Sequence, residues 1–310
     1  MSDIKVSVIC ITYNQEKYLG KCIESVIRQS CTFSMELLIG VDVSDDNTAF
    51  IADLYRKKYS NVIRLYVRKQ KYGPSKNAYD LVMKARGEYL AFCEGDDYWI
   101  DECKIQKQVL FLDKHMEYIG CANQSLLVDE DGKALNKQKL IWTTNKKVFS
   151  IKDFKGIYLP GQTSSVVKRN IFLKNDTDFS YIYKINPMIS DRVNMLLWLS
   201  RGDFFVFSSK MSAYRIRNDG VTNTVYKDNW AEKELDYTEK LEVIAEKLGL
   251  SKNIFHIFYC QLYYISLRDY RLFHNTKDKD IAIKAAGHFG GGLIHPIAYL
   301  VGRYYIKLGA

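Results

Sequence analysis

Four apolar runs, residues 4–11, 36–43, 62–67 and 89–93, recur through the first third of the chain, and a helix-periodic segment follows each of the first three. The first run, IKVSVICI, carries no charge after Lys5 and is rich in β-branched residues, the pattern of a strand buried on both faces. Thr12, Tyr13 and Asn14 then turn the chain, and residues 17–29 place Leu19, Cys22, Ile23, Val26 and Ile27 at helical spacing. The second run passes through an Asp/Ser/Asn turn into a helix over residues 48–59, carrying Ile51, Leu54 and Tyr55. The third leads through Gly73 and Pro74 into a helix over 75–85, and the fourth runs directly into an acidic turn. Strands alternating with helices in this way predict an α/β fold: right-handed crossovers and a mainly parallel sheet covered by helices on both faces. Ligands of such sheets bind beyond the carboxyl ends of the strands, where the loops 12–15, 42–47 and 94–99 are expected to converge.

The middle of the chain is less regular. It reads as a helix over 105–115, a strand over 119–128, a polar loop over 136–147, a strand over 163–167, a helix over 190–201, and two short strands over 204–207 and 211–216. After Asp219 the pattern changes to long helices over 230–248 and 254–271, then a basic turn and an aromatic tail, and a boundary is expected near Thr224. The tail, residues 289–308, opens with glycines and contains His295, Arg303 and Lys307, which suits an interfacial or core-packing helix better than a spanning one.

The 310 residues are 47% hydrophobic with only 4 prolines, so a sizeable core is available and no disordered arm is indicated. Seven cysteines without metal-ligand spacing, and no basic leader ahead of the first strand, point to a reduced, cytoplasmic protein. The net charge of +9 would suit nucleic acid, an anionic membrane face or phosphorylated substrates. Nucleic acid is set aside as a partner because the chain lacks a zinc-ligand pattern, a basic zipper helix and an RNA-binding aromatic signature. Aromatic residues interleaved with Lys and Arg over 255–273 and 299–305 suit contact with a membrane surface at headgroup level.

Glu94, Asp96 and Asp97 set three carboxylates within four residues at a strand end. Hard oxygen donors at such a loop suit Mg²⁺ or Mn²⁺ bridging substrate phosphates, and equally suit an acidic helix start. The segments VSVICITYNQEKYLGKCIESVIRQ, LLIGVDVSDDNT and GPSKNAYDLVMKARGEYLAFCEGDDYW resemble, in order and spacing, the family 2 inverting glycosyltransferases of the A-type fold. Many of these build bacterial capsule, O-antigen and cell-wall polysaccharides, and the resemblance covers residues 4 to about 222. It implies a catalytic domain over 1–223, with a nucleotide-sugar-binding half over 1–115 and an acceptor half over 116–223, and a helical C-terminal extension over 224–310.

The same resemblance assigns roles. Thr12, Tyr13 and Asn14 would contact the nucleotide, and Asp42 would accept from the uracil N3 hydrogen; as plain turn residues, Tyr13 would pack on the sheet end and Asp42 would form an Asx turn. Lys76 would neutralise diphosphate or be a solvated lysine, and Glu94 and Asp96 would hold the nucleotide sugar. Asp96 and Asp97 would coordinate Mn²⁺ or Mg²⁺. Asp191 would be the general base, against the alternative of a helix-start carboxylate beside a Ser190 cap. Gly161, Gln162 and Thr163 would lie beneath the acceptor, and Trp99 would stack on a sugar or simply pack.

Two positions depart from the family pattern. Val41 stands where an acidic residue is common, and Arg217 stands where a metal-approaching His is common, offering a cation over the diphosphate instead. The implied activity moves a hexose or N-acetylhexosamine from a nucleotide sugar, UDP-linked, to a saccharide or lipid-linked acceptor, at the cytoplasmic face of the membrane. The competing readings are a catalytically weak member acting as a binding partner, and a nucleotidyltransferase-like sugar-phosphate enzyme.

Overall fold

The computed structural model describes residues 4–136, 140, 142–173, 177–220, 229–288 and 294–309. Strands β1 (Val6–Thr12), β2 (Met35–Val41), β3 (Ile63–Val67) and β4 (Tyr89–Phe92) appear where the apolar runs predict them, with helices α1 (Glu16–Ile27), α2 (Thr48–Lys58) and α3 (Pro74–Met83) between them. These four strands pair in parallel in the order β3-β2-β1-β4. Val6, Val8 and Cys10 of β1 pack with Leu19, Cys22, Ile23 and Val26 of α1 on one face of the sheet. Ile9, Leu38 and Leu90 belong to a second core that includes Leu81 and Val82 of α3. The apolar character of β1, β2 and β4 is therefore explained, since each is covered on both faces, whereas β3 is an edge strand.

Beyond β4 the sheet stops being parallel. Its neighbours in order are β8 (Val167–Arg169), β6 (Tyr118–Val128), β9 (Asp203–Arg215) and β5 (Tyr98–Trp99), with β7 (Val148–Phe149) on β9. β4–β8, β8–β6, β5–β9 and β7–β9 are antiparallel, and β6–β9 is parallel. The expectation of a mainly parallel sheet thus holds for the first half, and the whole is mixed. The strand expected at 163–167 is a 3-10 turn, Thr163–Ser165, with β8 starting after it. The two strands expected at 204–207 and 211–216 are the single strand β9, whose register against β6 shifts around Asn123–Ser125.

Helix α4 (Lys104–Lys114) covers the face shared with α1, and the short helices α5 (Ile151–Phe154) and α6 (Tyr181–Lys184) precede α7 (Asp191–Leu199). Among the described residues four further helices follow: Trp230–Lys247, His256–Phe273, Thr276–Gly287 and Ile294–Gly309. The third occupies the stretch expected to be a basic turn. The proposed boundary near Thr224 lies outside the described residues. The helices after it share the core of the sheet, since Leu235, Tyr237, Leu241, Phe255 and Phe258 pack in one cluster with Leu196 and Trp198 of α7. A buried ion pair, Arg192 with Glu234, and a 2.8 Å bond from Arg192 Nη2 to Thr238 Oγ1 lock α7 to the first of them. Breaking such a pair strands a buried charge, so the extension and the sheet are coupled in stability.

Candidate active site

The site is assembled at the carboxyl edge of β1, β2 and β4, starting with the first loop. Asn14 adopts a left-handed φ of 49°, tolerable for Asn, and this turn lets two loops interlock. Its amide donates to Ser44 Oγ at 3.2 Å, its Oδ1 accepts from the Asp45 amide at 2.9 Å, and the Gln15 amide donates to Thr48 Oγ1 at 2.8 Å. Thr12 is buried and donates to Gln15 Oε1 at 2.8 Å. The acidic loop packs directly on this pair: a Cβ on Gly95 would lie 2.4 Å from Gln15 Oε1 and 2.6 Å from Thr12 Oγ1, so only glycine fits.

Tyr13 is 40% exposed, with Lys71 Nζ 4.7 Å from its ring centroid. Asp42 is buried; its Oδ1 accepts from the amides of Val43 and Tyr72 at 3.0 and 2.9 Å, and its Oδ2 accepts from the Gly73 amide at 2.8 Å. The Asp42 carboxylate therefore clamps the loop ahead of α3, where Gly73 takes a φ of 74°; its local bond comes from the Val43 amide, one residue on, rather than from the amide two residues on that an Asx turn uses. Val41 is buried in the sheet core and offers no polar contact. Lys76 is half-buried, with Nζ 4.4 Å over the Tyr72 ring, on the same edge as Tyr13.

The acidic cluster divides in a way its spacing did not indicate. Asp97 is 1% exposed: its Oδ1 accepts from the Arg215 amide at 3.0 Å and its Oδ2 from Gln162 Nε2 at 2.8 Å. Burial and the neighbouring charge on Asp96 push its carboxyl well above the ordinary range. Asp97 is thus a scaffold residue, and the expectation that it ligates metal is corrected. Asp96 keeps 22% side-chain exposure, its Oδ2 accepts from Arg217 Nη1 at 3.1 Å, and among the described residues no hydrogen bond reaches its Oδ1. Arg217 also grips Asp219 at 2.9 and 2.8 Å and lies 5.0 Å over the Tyr18 ring.

Asp191 begins α7, reachable by solvent yet surrounded by protein, and its Oδ1 accepts from Thr163 Oγ1 at 3.4 Å. Ser190 makes no side-chain cap, contrary to the capping alternative. Glu94 is pushed well above the usual carboxylate value, first by burial and then by the charges of Asp191, Asp97 and Asp96. The carboxylates from the β4 loop and from α7 accordingly share one electrostatic field. Surrounding protein also raises the Asp191 carboxyl, while the Lys168 charge and the Thr163 hydroxyl pull it down.

Trp99 is corrected as a sugar platform. It is 5% exposed, with its indole Nε1 donating to the Ser164 carbonyl at 2.9 Å. Gly161 and Gln162 are buried too: a Cβ on Gly161 would lie 2.4 Å from Ser165 Oγ, and Gln162 serves Asp97. Of the three residues expected beneath the acceptor, Thr163 alone reaches Asp191.

Two residues not singled out from the sequence prove central. Arg215, 6% exposed, binds the Asp96 carbonyl through Nε at 2.9 Å and the Glu130 carbonyl through Nη1 at 2.6 Å. Lys168 is 6% exposed, with Nζ 3.4 Å from the Trp198 centroid and 4.8 Å from that of Phe92. The available signal was weak: Lys168 follows two valines in VVKR but precedes Arg169, and its inward strand position is set by the fold.

Among the described residues no group of three or more His, Cys, Asp or Glu side chains forms a metal-binding shell. Mg²⁺ and Mn²⁺ retain waters and take phosphate oxygens, so one or two carboxylates suffice, and the hard oxygen of Asp96 in this self-repelling field fits such an ion.

Residues 7–174 match the model of the family described as glycosyl transferase family 2, more than half of the chain, and the chain belongs to that family. Among curated relatives it is 32% identical over 233 residues to the uncharacterized protein Rv1520 of Mycobacterium tuberculosis, a match covering 72% of this chain and 62% of the relative's length. It is also 32% identical over 113 residues to the poly(ribitol-phosphate) beta-N-acetylglucosaminyltransferase TarS of Staphylococcus aureus, covering 36% of this chain and 19% of that one. The crystal structure of TarS residues 1–349 in complex with UDP-GlcNAc superposes with a TM-score of 0.65 at 17% identity, covering 99% of this chain and 89% of that chain. The fold is therefore the A-type glycosyltransferase fold with C-terminal helices.

Proposed function

We propose that this protein is an inverting glycosyltransferase that moves a hexose or N-acetylhexosamine from a UDP-sugar to a hydroxyl of a saccharide or lipid-linked acceptor, in bacterial cell-envelope polysaccharide synthesis such as capsule formation. The reading assigns it to the cytoplasm, working at the inner membrane face. The observation that carries it is the link between the two carboxylate-bearing elements: Thr163 Oγ1 reaches Asp191 of α7 at 3.4 Å, and the adjacent Gln162 Nε2 reaches Asp97 of the β4 loop at 2.8 Å, beside the nucleotide-side loops. Family membership and the UDP-GlcNAc-bound TarS neighbour support the donor class.

In this mechanism Asp191 takes the proton from the acceptor hydroxyl as its oxygen attacks the anomeric carbon. The bond to the diphosphate breaks on the opposite face, and the diphosphate leaves with the electron pair. Thr163 orients the Asp191 carboxylate. Arg217 and Lys76 supply positive charge on the diphosphate side, and Tyr13, Thr12, Asn14 and Asp42 define the base pocket. Mn²⁺ or Mg²⁺ held by Asp96 would act as a Lewis acid on the departing diphosphate. The halves 1–115 and 116–223 divide donor from acceptor binding in this scheme.

A thermal-shift screen of UDP-, GDP- and dTDP-sugars with and without Mn²⁺ tests the donor, because a specific ligand raises Tm by mass action. Asp191→Asn is expected to retain UDP binding by calorimetry and to lose transfer. Preserved turnover in that variant would refute the base assignment. Slow UDP-sugar hydrolysis by the wild type with Mn²⁺ would exclude the alternative of a purely binding family member.

A further inference from the structure

No helix among the described residues is long and apolar enough to cross a membrane, yet the C-terminal helices leave several large apolar side chains exposed. Helix Ile294–Gly309 docks on helix His256–Phe273 by one face. A Cβ on Gly302 would collide with the Cys260 carbonyl, the rings of Tyr264 and Tyr299 meet edge-on at 4.9 Å, and Ala298 is buried. Its other apolar stripe, Ile297, Leu300 and Tyr304, follows helical spacing and stays 61%, 61% and 59% exposed. Leu272 and Phe273, ending the helix beneath it, are 63% and 75% exposed. On the same helix's other flank, Tyr263, Leu267 and Tyr270 line an apolar cavity of about 340 Å³ with Ile283 and Lys279 of helix Thr276–Gly287.

The charge around these residues selects the occupant. From residue 256 to the end the sequence holds seven Lys or Arg against three Asp and no Glu. Lys277, Lys279 and Arg271 are exposed near Leu272 and Phe273 in the chain. A second copy would bring like charge against like across a self-complementary contact, whereas an anionic lipid surface neutralises it while burying the apolar side chains.

We infer that the exposed apolar residues of the three terminal helices, with their basic neighbours, form a docking face for an anionic lipid bilayer. Leu272, Phe273, Ile283, Ile297, Leu300 and Tyr304 enter the headgroup–acyl boundary, and the lysines and arginines engage lipid phosphates. The inference deepens the proposed siting at the membrane face. It requires no donor, metal or turnover, so its failure is separable from failure of the sugar-transfer reading.

The test is flotation of the full chain with phosphatidylcholine vesicles, with and without phosphatidylglycerol, at low and high salt. Binding is expected to be about tenfold or more stronger with phosphatidylglycerol at low salt, and to fall steeply as salt rises. Leu272→Ser/Phe273→Ser should abolish vesicle binding at unchanged Tm, because both side chains are exposed. Lys277→Glu/Lys279→Glu should remove the preference for phosphatidylglycerol and leave UDP affinity unchanged. No binding of the wild type to phosphatidylglycerol vesicles would overturn the inference, as would wild-type binding by the folded Leu272→Ser/Phe273→Ser variant. A dimer in light scattering that this variant dissociates, with no vesicle binding, would assign the face to a second copy and overturn it equally.

Discussion

Asp97→Asn separates a scaffold carboxylate from a metal ligand. In the wild type one carboxylate oxygen accepts from the Arg215 amide at 3.0 Å and the other from Gln162 Nε2 at 2.8 Å. Asparagine has one acceptor to offer two donors, so an N–H is set against an N–H wherever the amide points. Gln162 cannot relieve the clash by flipping, because its Oε1 already accepts from the Ser164 amide at 2.8 Å. One buried donor is left unsatisfied, at a cost of about 1–3 kcal/mol. For a chain of this size that lowers Tm by roughly 1.5–4.5 °C. The assay pairs differential scanning fluorimetry with a Mn²⁺ titration of UDP-sugar turnover. Asp97→Asn should lose stability while the Mn²⁺ concentration for half-maximal activity stays near the wild-type value. Asp96→Asn should show the reverse, a nearly unchanged Tm and a raised metal requirement. An Asp97→Asn protein with wild-type Tm and a raised metal requirement would refute the scaffold reading and restore Asp97 as a ligand.

Further outcomes follow from the same geometry. Gly95→Ala forces apart the acidic loop and the Thr12–Gln15 pair; a misplacement near 1 Å is expected to cost on the order of 10²-fold in kcat, visible in steady-state kinetics. Glu36 is buried in β2, and burial alone would raise its carboxyl, but bonds from Arg86, Ser7 and Arg64 hold it below the ordinary value. A depressed native pKa stabilises above the unfolded-state pKa, and this contribution is lost as pH falls through the native one. Glu36→Ala should therefore cost about 1.5–3 kcal/mol near neutral pH in urea unfolding, because the arginines left behind are partly exposed, and markedly less in acid. Lys168, pushed down to about 7 by burial, pulls the Asp191 carboxyl downward when charged. Lys168→Met should shift the acidic limb of the kcat/KM–pH profile upward, with Lys168→Arg restoring it; a limb that does not move in Lys168→Met excludes this coupling.

The sequence by itself determined the parallel half of the sheet and the edge at which its loops meet. Strands covered on both faces are apolar at most positions and free of charge unless it is paired, so β1 and β4 announce themselves as local runs, and the loops after them follow from chain order. What each loop residue does was decided by partners far away in sequence. Asp96 and Asp97 are adjacent and chemically alike, yet Asp97 is claimed by Gln162, 65 residues on, and by the amide of Arg215, 118 residues on. Trp99 was ambiguous between stacking and packing until the Ser164 carbonyl fixed its indole. β8 inserts beside β4 and reverses the sheet, and no local pattern in its three residues specifies that neighbour. Thr276–Gly287 reads as a basic turn, whereas the helices Trp230–Lys247 and His256–Phe273 were legible from their periodicity. Their seat on α7 was not, because it rests on Arg192 and Glu234, two charges that a sequence reading would assign to the surface and that only the folded chain brings together out of water.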